Sequence, residues 1–153
     1  VTSIATTVIR HPKERISKCS LRLLHDRPEM TFHRANASFR FDATGFTVLA
    51  VDAPELSVAD ASRPLLLLDS TWRWLKQLQA CLDGEPVRRS IPGNVATAYP
   101  RTSKVFDDPT GGLASIEALY LARRLLGDDD PSLLEGYHWK DEFFAAMKAA
   151  GMG

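Results

Sequence analysis

Hydrophobic positions along this chain follow two regimes: short β-branched or leucine-rich runs through the first two-thirds, and helical spacing in the last third. Ile4-Ala5-Thr6-Thr7-Val8-Ile9 is short and β-branched and predicts a strand. Residues 10–34 are polar, are broken by His11-Pro12 and Arg27-Pro28, and read as a functional loop carrying a short helix or strand. Residues 37–41 alternate with a period of two, placing Phe39 and Phe41 on one side. The turn-forming Asp42-Ala43-Thr44-Gly45 separates them from Phe46-Thr47-Val48-Leu49-Ala50-Val51, which reads as a buried strand. Residues 57–62 suit a short surface helix. Leu65-Leu66-Leu67-Leu68 lies between Pro64 and the polar Asp69-Ser70-Thr71, which favours a short strand buried on both faces. Residues 72–82 then carry Trp72, Leu75, Leu78 and Leu82 at helical spacing. Ser70 or Thr71 can cap that helix, and Asp83-Gly84-Glu85-Pro86 ends it. Residues 95–99 read as a last strand or an extended loop. Gly111-Gly112 leads into a helix over about 115–126 with Ile116, Leu119, Tyr120 and Leu126 on one broad face, and a final helix covers 139–150. The expected fold class is α/β with a mostly parallel sheet. Residues 1–86 form the α/β part with the substrate and cofactor loops, and residues 87–153 form a mostly helical part that completes the site.

Length and composition narrow the class. A chain of 153 residues suits one compact domain, or a domain with a small annex, and can bury a core without metals or disulfides. No apolar run approaches the roughly 20 residues that span a bilayer. Residues 1–9 lack the charged start and long apolar stretch of a signal peptide. The expectation is a cytoplasmic monomer without membrane contact. Cys19 and Cys81 are isolated, which favours two reduced thiols over a disulfide or a zinc pair. With no C-x-x-C and with scattered histidines, no metal site is predicted. A net charge of zero argues against a globally basic nucleic-acid binder, but the charges are segregated. Residues 10–40 hold eight Lys/Arg against three Asp/Glu, and residues 86–104 add Arg88, Arg89, Arg101 and Lys104 with no acid. Segregation of this kind gives a neutral protein a positive face for phosphates; solvated loops are the plain alternative.

Asp69-Ser70-Thr71-Trp72 is the strongest chemical candidate. An apolar strand that ends in this turn and opens a helix places Asp69 where α/β sheets bind ligands, with an aromatic face beside it. Taken alone, the turn reads more readily as an Asp cap followed by a core tryptophan. Neither G-x-G-x-x-G nor G-x-x-x-x-G-K-[ST] is present, and neither is G-x-S-x-G, so Rossmann, P-loop and hydrolase readings lack support. Tyr137-His138-Trp139 reads as packing beside a helix start rather than as a base-stacking surface.

Five elements in order resemble the small-subunit rRNA aminocarboxypropyltransferase family. They are His11-Pro12-Lys13 with Lys18-Cys19-Ser20; Leu66-Leu67-Leu68-Asp69-Ser70-Thr71-Trp72; Arg89-Ser90-Ile91-Pro92; Leu113-Ala114-Ser115-Ile116-Glu117-Ala118-Leu119; and Tyr137-His138-Trp139 followed by Phe143-Phe144. The Asp-x-Thr-Trp turn also resembles the DTW-domain tRNA-uridine aminocarboxypropyltransferases. The resemblance implies a SPOUT-like fold with a C-terminal trefoil knot. It implies that S-adenosylmethionine donates its 3-amino-3-carboxypropyl group to a uridine-type base in rRNA or tRNA, leaving methylthioadenosine. A sulfonium has three electrophilic carbons, and selecting one requires burying the others. By motif match Trp72 shuts the methyl away, and its ring suits a sulfonium cation. Asp69 lies near the acceptor or the amino-acid end, where a general base would act. Ser20 matches a ribose contact. Ile91, Val95, Ala96 and Thr97 match the backbone that frames adenine. Leu113, Ala114 and Ser115 match a helix start that holds the cofactor's carboxylate. Lys13, Arg15, Lys18, Arg22, Arg88, Arg89, Arg101 and Lys104 are the candidate RNA-phosphate contacts.

The chain departs from the family pattern at three places. Residues 14–17 separate His11-Pro12-Lys13 from Lys18-Cys19-Ser20, Leu21 replaces a common glycine, and Ala96-Thr97-Ala98-Tyr99-Pro100-Arg101 stands where the family has Ala-Asn-Pro-Val-Asn-Tyr. A SPOUT-type RNA methyltransferase and a non-catalytic RNA-binding module of the same fold remain open beside the transferase reading.

Overall fold

The leucine run lies at the centre of the molecule. The computed structural model describes residues 3–13, 20–36, 38–50, 53–69, 72–91 and 114–152. In chain order the strands are β1 (Thr6–Arg10), β2 (Met30–Arg34), β3 (Phe41–Asp42), β4 (Thr47–Leu49), β5 (Leu65–Asp69), β6 (Leu82–Asp83) and β7 (Val87–Arg89). The helices are α1 (Trp72–Ala80), α2 (Ser115–Leu125) and α3 (Lys140–Ala149), with 3-10 turns at Ser20–Leu24, Val58–Ser62 and Pro131–Leu134. Five strands form one sheet in the order β2-β1-β5-β4-β7, with every pair parallel. β5 is therefore the middle strand and is buried at all five positions, as an unbroken apolar run requires.

Alternation along the strands sorts the core into two layers. Val8, Leu49, Leu65 and Leu67 face α2 and α3, and pack with Ile116, Leu119, Phe143 and Met147. Ile9, Val48, Leu66 and Leu68 face α1, and pack with Leu75 and Leu78. Each leucine of β5 contributes about 1.5–3 kcal/mol by leaving water. α2 is buried all round from Ile116 to Arg123, wider than the single face predicted. The sheet covers one side of it, and the 3-10 turns at Pro131–Leu134 and Ser20–Leu24 pack against it as well.

Several boundaries differ from the sequence pattern. The helix predicted over 72–82 ends at Ala80, because Leu82 pairs with Phe41 in a second, two-stranded parallel sheet, β3–β6. Gly84 turns out of that sheet at φ +75°, where an added Cβ would collide with Thr44 Oγ1. Among the described residues of the alternating run over 37–41, only Phe41 pairs, since Ser38 turns the chain at φ +73°. The segment at 57–62 is a 3-10 turn built on Asp60, which is buried and accepts hydrogen bonds from Ser57 N–H, Arg63 and Arg89. β2 and β7 lie on the sheet's two edges, and their polar composition hid them in the sequence. β7 begins at Val87, so strands of the same sheet come from both sides of the 86/87 division. Ser70 and Thr71, predicted as caps, and the element predicted at 95–99 lie outside the described residues. No helix among the described residues is long and apolar enough to cross a membrane.

Candidate functional site

Because the strands run parallel, their carboxyl ends share one edge, the usual ligand-binding edge of such sheets. The end of β1 divides its side chains between the two faces. Val8 faces α2 and Ile9 faces α1, so Arg10 returns to the α2 face and His11 to the α1 face. On β5 the same alternation turns Leu68 toward α1 and Asp69 toward α2.

Arg10 and Asp69 are register partners, and together they make a buried clamp. Arg10 Nε donates to Asp69 Oδ2 at 3.3 Å, and Ser115 Oγ donates to Asp69 Oδ1 at 2.9 Å. The Arg10 guanidinium lies 5.6 Å from the Phe32 ring centroid. This clamp joins β1, β5 and the first residue of α2. A second set of bonds fixes that helix start. Glu117 is fully buried; its Oε1 accepts Ala114 N–H at 2.8 Å and its Oε2 accepts the Tyr137 hydroxyl at 3.1 Å. A carboxylate in the first turn also complements the helix dipole.

On the α1 face, His11 stacks on Trp74 with centroids 4.8 Å apart and planes 16° from parallel. Lys13 N–H donates to His11 Nδ1 at 3.1 Å, which leaves the ring proton on Nε2 to meet Gln77 Oε1 at 2.8 Å. Lys13 Nζ lies 4.9 Å from the Trp74 ring centroid, and Arg34 Nη2 donates to Pro12 O at 2.7 Å.

The residues singled out from the sequence are partly gathered here. Asp69, Ala114 and Ser115 meet at the clamp, Trp72 opens α1 next to it in the chain, and Ile91 is buried just after β7. Ser20 opens a 3-10 turn, and Leu21 fills the core beside it. Val95, Ala96, Thr97, Leu113, Arg15, Lys18, Arg101 and Lys104 lie outside the described residues. Lys13, Arg22 and Arg88 are exposed, whereas Arg89 is bonded to Asp60. Among the described residues, no group of three or more His, Cys, Asp and Glu side chains could hold a metal ion. Cys81 is a free thiol, and Tyr137 is packed against Trp139 as expected. Arg10, Trp74 and Gln77 were missed by the sequence reading. The one signal for Arg10 was its place at the end of an apolar strand, and its meaning depended on the β1–β5 pairing. A hollow of about 340 Å³ lined by Tyr120, Arg124, Phe144 and Lys148 lies toward the other end of α2.

No family model and no curated protein matches the chain. Among solved structures, the fold is similar to that of the SAM-dependent rRNA:acp-transferase Tsr3 from Vulcanisaeta distributa, with a TM-score of 0.70 and 22% sequence identity. The match covers 95% of this chain and 80% of that one. The two chains share a fold.

The chemistry of the clamp follows from its own groups. A buried carboxylate held by Arg10 and Ser115, beside the start of α2, presents a negative group next to a helix N-terminus. The pair complements a zwitterion: the carboxylate suits an ammonium or sulfonium, and the helix start suits a carboxylate.

Proposed function

We propose that this chain is an S-adenosylmethionine-dependent transferase that moves a 3-amino-3-carboxypropyl group to a uridine-type base in rRNA or tRNA. The observation that carries the reading is the Arg10–Asp69–Ser115 clamp, which brings two of the five ordered motifs together at the ligand edge of the sheet. The fold shared with the rRNA:acp-transferase Tsr3 supports it. A SPOUT-like classification with a C-terminal trefoil knot, a role in rRNA processing and ribosome biogenesis, a cytoplasmic location and a monomeric state belong to the same proposal.

The residues present fit the cofactor, because the amino-acid end of S-adenosylmethionine is a zwitterion beside a cation. When bound, it supplies an alkyl group activated by a sulfonium leaving group. Asp69 attracts the positive end, and Arg10 and Ser115 fix the direction of its carboxylate. Ala114 and Ser115 offer the start of α2 to the negative end, with Leu113 preceding them in the motif. Trp72 covers the methyl, so that the propyl carbon alone faces the acceptor. Ser20 holds the ribose, and Ile91, Val95, Ala96 and Thr97 frame the adenine. Asp69 is also the candidate to take the acceptor's proton. Lys13, Arg15, Lys18, Arg22, Arg88, Arg101 and Lys104 contact phosphates and so position the RNA without reading its sequence, while Arg89 is held by Asp60.

Calorimetry tests the cofactor site. Wild-type protein is expected to bind S-adenosylmethionine, and Trp72→Ala is expected to bind it about tenfold more weakly, the loss of a desolvated cation–aromatic contact. Equal binding by the two proteins contradicts the Trp72 pocket. No binding by the wild type at millimolar concentration leaves a non-catalytic RNA-binding module.

A further inference from the structure

The stack on the α1 face has no part in the cofactor site just described. Trp74 is half-buried, so some of its indole reaches the surface, and the imidazole of His11 lies parallel to it. Both nitrogens of that imidazole are engaged, by Lys13 N–H and by Gln77 Oε1, so the histidine is held in one orientation. A rigid aromatic pair at a protein surface is a ready surface for a flat ring. Its surroundings are cationic: Lys13, Arg34 and Lys76 are all exposed, with Lys13 Nζ over the indole itself.

We propose that Trp74, backed by His11, stacks a nucleobase of the RNA strand next to the acceptor nucleotide, with Lys13 and Arg34 meeting the adjoining phosphates. This rests on the RNA-substrate reading above. Placement supports it, because His11 follows Arg10 in the chain and its backbone N–H donates to Asp69 O at 3.3 Å. The stack on the α1 face and the clamp on the α2 face therefore share the carboxyl edge of the sheet, on opposite sides of neighbouring residues of β1's end. Magnitudes support it too. An exposed ammonium over an indole strengthens an interaction about two- to fivefold. Stacking a base on an aromatic side chain strengthens binding about five- to 150-fold. A base can displace Lys13 from the ring, and the freed ammonium then gains a phosphate.

The test is fluorescence polarisation with a labelled single-stranded oligouridylate of about ten nucleotides. It compares wild type, Trp74→Phe and Trp74→Leu, with thermal unfolding followed on the same samples. Trp74→Leu keeps an apolar side chain against His11, so the fold has a second route to survive. The expected result is affinity about tenfold weaker in Trp74→Leu and a smaller loss in Trp74→Phe, with all three proteins folded. A merely structural tryptophan would lower the unfolding temperature and leave RNA affinity unchanged, and that result overturns the proposal. If wild type fails to bind RNA, the platform and the RNA reading both fall. If it binds RNA and Trp74→Leu binds equally well, the platform alone falls.

Discussion

Two buried arginines mark opposite ends of the sheet, and they are held in different ways. At the amino end, Arg123 is fully buried between two carboxylates, with Nη1 2.9 Å from Glu29 Oε2 and Nη2 2.7 Å from Asp128 Oδ2. Asp128 also accepts Ile4 N–H at 2.9 Å, and Arg27 links Glu29 to Asp130. This network ties the entries of β1 and β2 to the end of α2 through side chains that answer one another. At the carboxyl end, Arg10 faces the carboxylate of Asp69 and the ring of Phe32, and Ser115 completes the clamp at a helix start. The first arrangement serves the fold, and the second holds a carboxylate at the edge where ligands bind.

The largest effect is expected from breaking the amino-end network. Arg123→Met leaves Asp128 buried without its cation and Glu29 with Arg27 alone, and should cost about 3–5 kcal/mol in urea unfolding. A loss below about 1 kcal/mol would show that the network does not carry the fold. Arg10→Met should cost less, about 2–3 kcal/mol, because the Asp69 carboxylate keeps the Ser115 hydroxyl as a partner. The proposed transfer activity should fall further than stability explains, since Asp69 loses its Arg10 partner; unchanged activity in the folded variant would break the contrast.

Acid should weaken the amino end. Burial opposes the ionisation of Glu29, but hydrogen bonds from Arg123, its own backbone and Arg27 outweigh it and hold the carboxyl below its usual range. Asp130 is likewise held low, chiefly by the Ser132 hydroxyl and also by Arg27. A depressed carboxyl contributes stability that is present above its unfolded value, roughly pH 4, and is lost as pH falls through its lower folded value. Stability should therefore decline below about pH 4, and Glu29→Gln should flatten that acid limb. An acid limb unchanged in Glu29→Gln would place the titration elsewhere. The smallest effect is expected from Ser115→Ala, about 1 kcal/mol by denaturant unfolding.

The sequence made the centre of the fold legible and left its edges obscure. Leu65-Leu66-Leu67-Leu68 declared a central strand because burial on both faces leaves an unbroken apolar run. β2 and β7 are half-exposed edge strands, and Met30-Thr31-Phe32-His33-Arg34 carries no clear period. Asp69 and Ser115 were found through their motifs, but their contact spans 46 residues and depends on how α2 crosses the sheet. Arg10 and His11 are neighbours with unrelated partners, a difference that only strand alternation at a known register reveals. Trp74 meets His11 across 63 positions of sequence, and nothing in the helical spacing hinted at that stack.

The measurement that tests the central claim most directly is by-product analysis. The protein is incubated with S-adenosylmethionine and small-subunit rRNA lacking the modification, and the small products are separated by chromatography. Methylthioadenosine, together with an aminocarboxypropylated uridine-type nucleoside in the digested RNA, is the predicted result. S-adenosylhomocysteine in its place would contradict it and assign the same pocket to a methyltransferase.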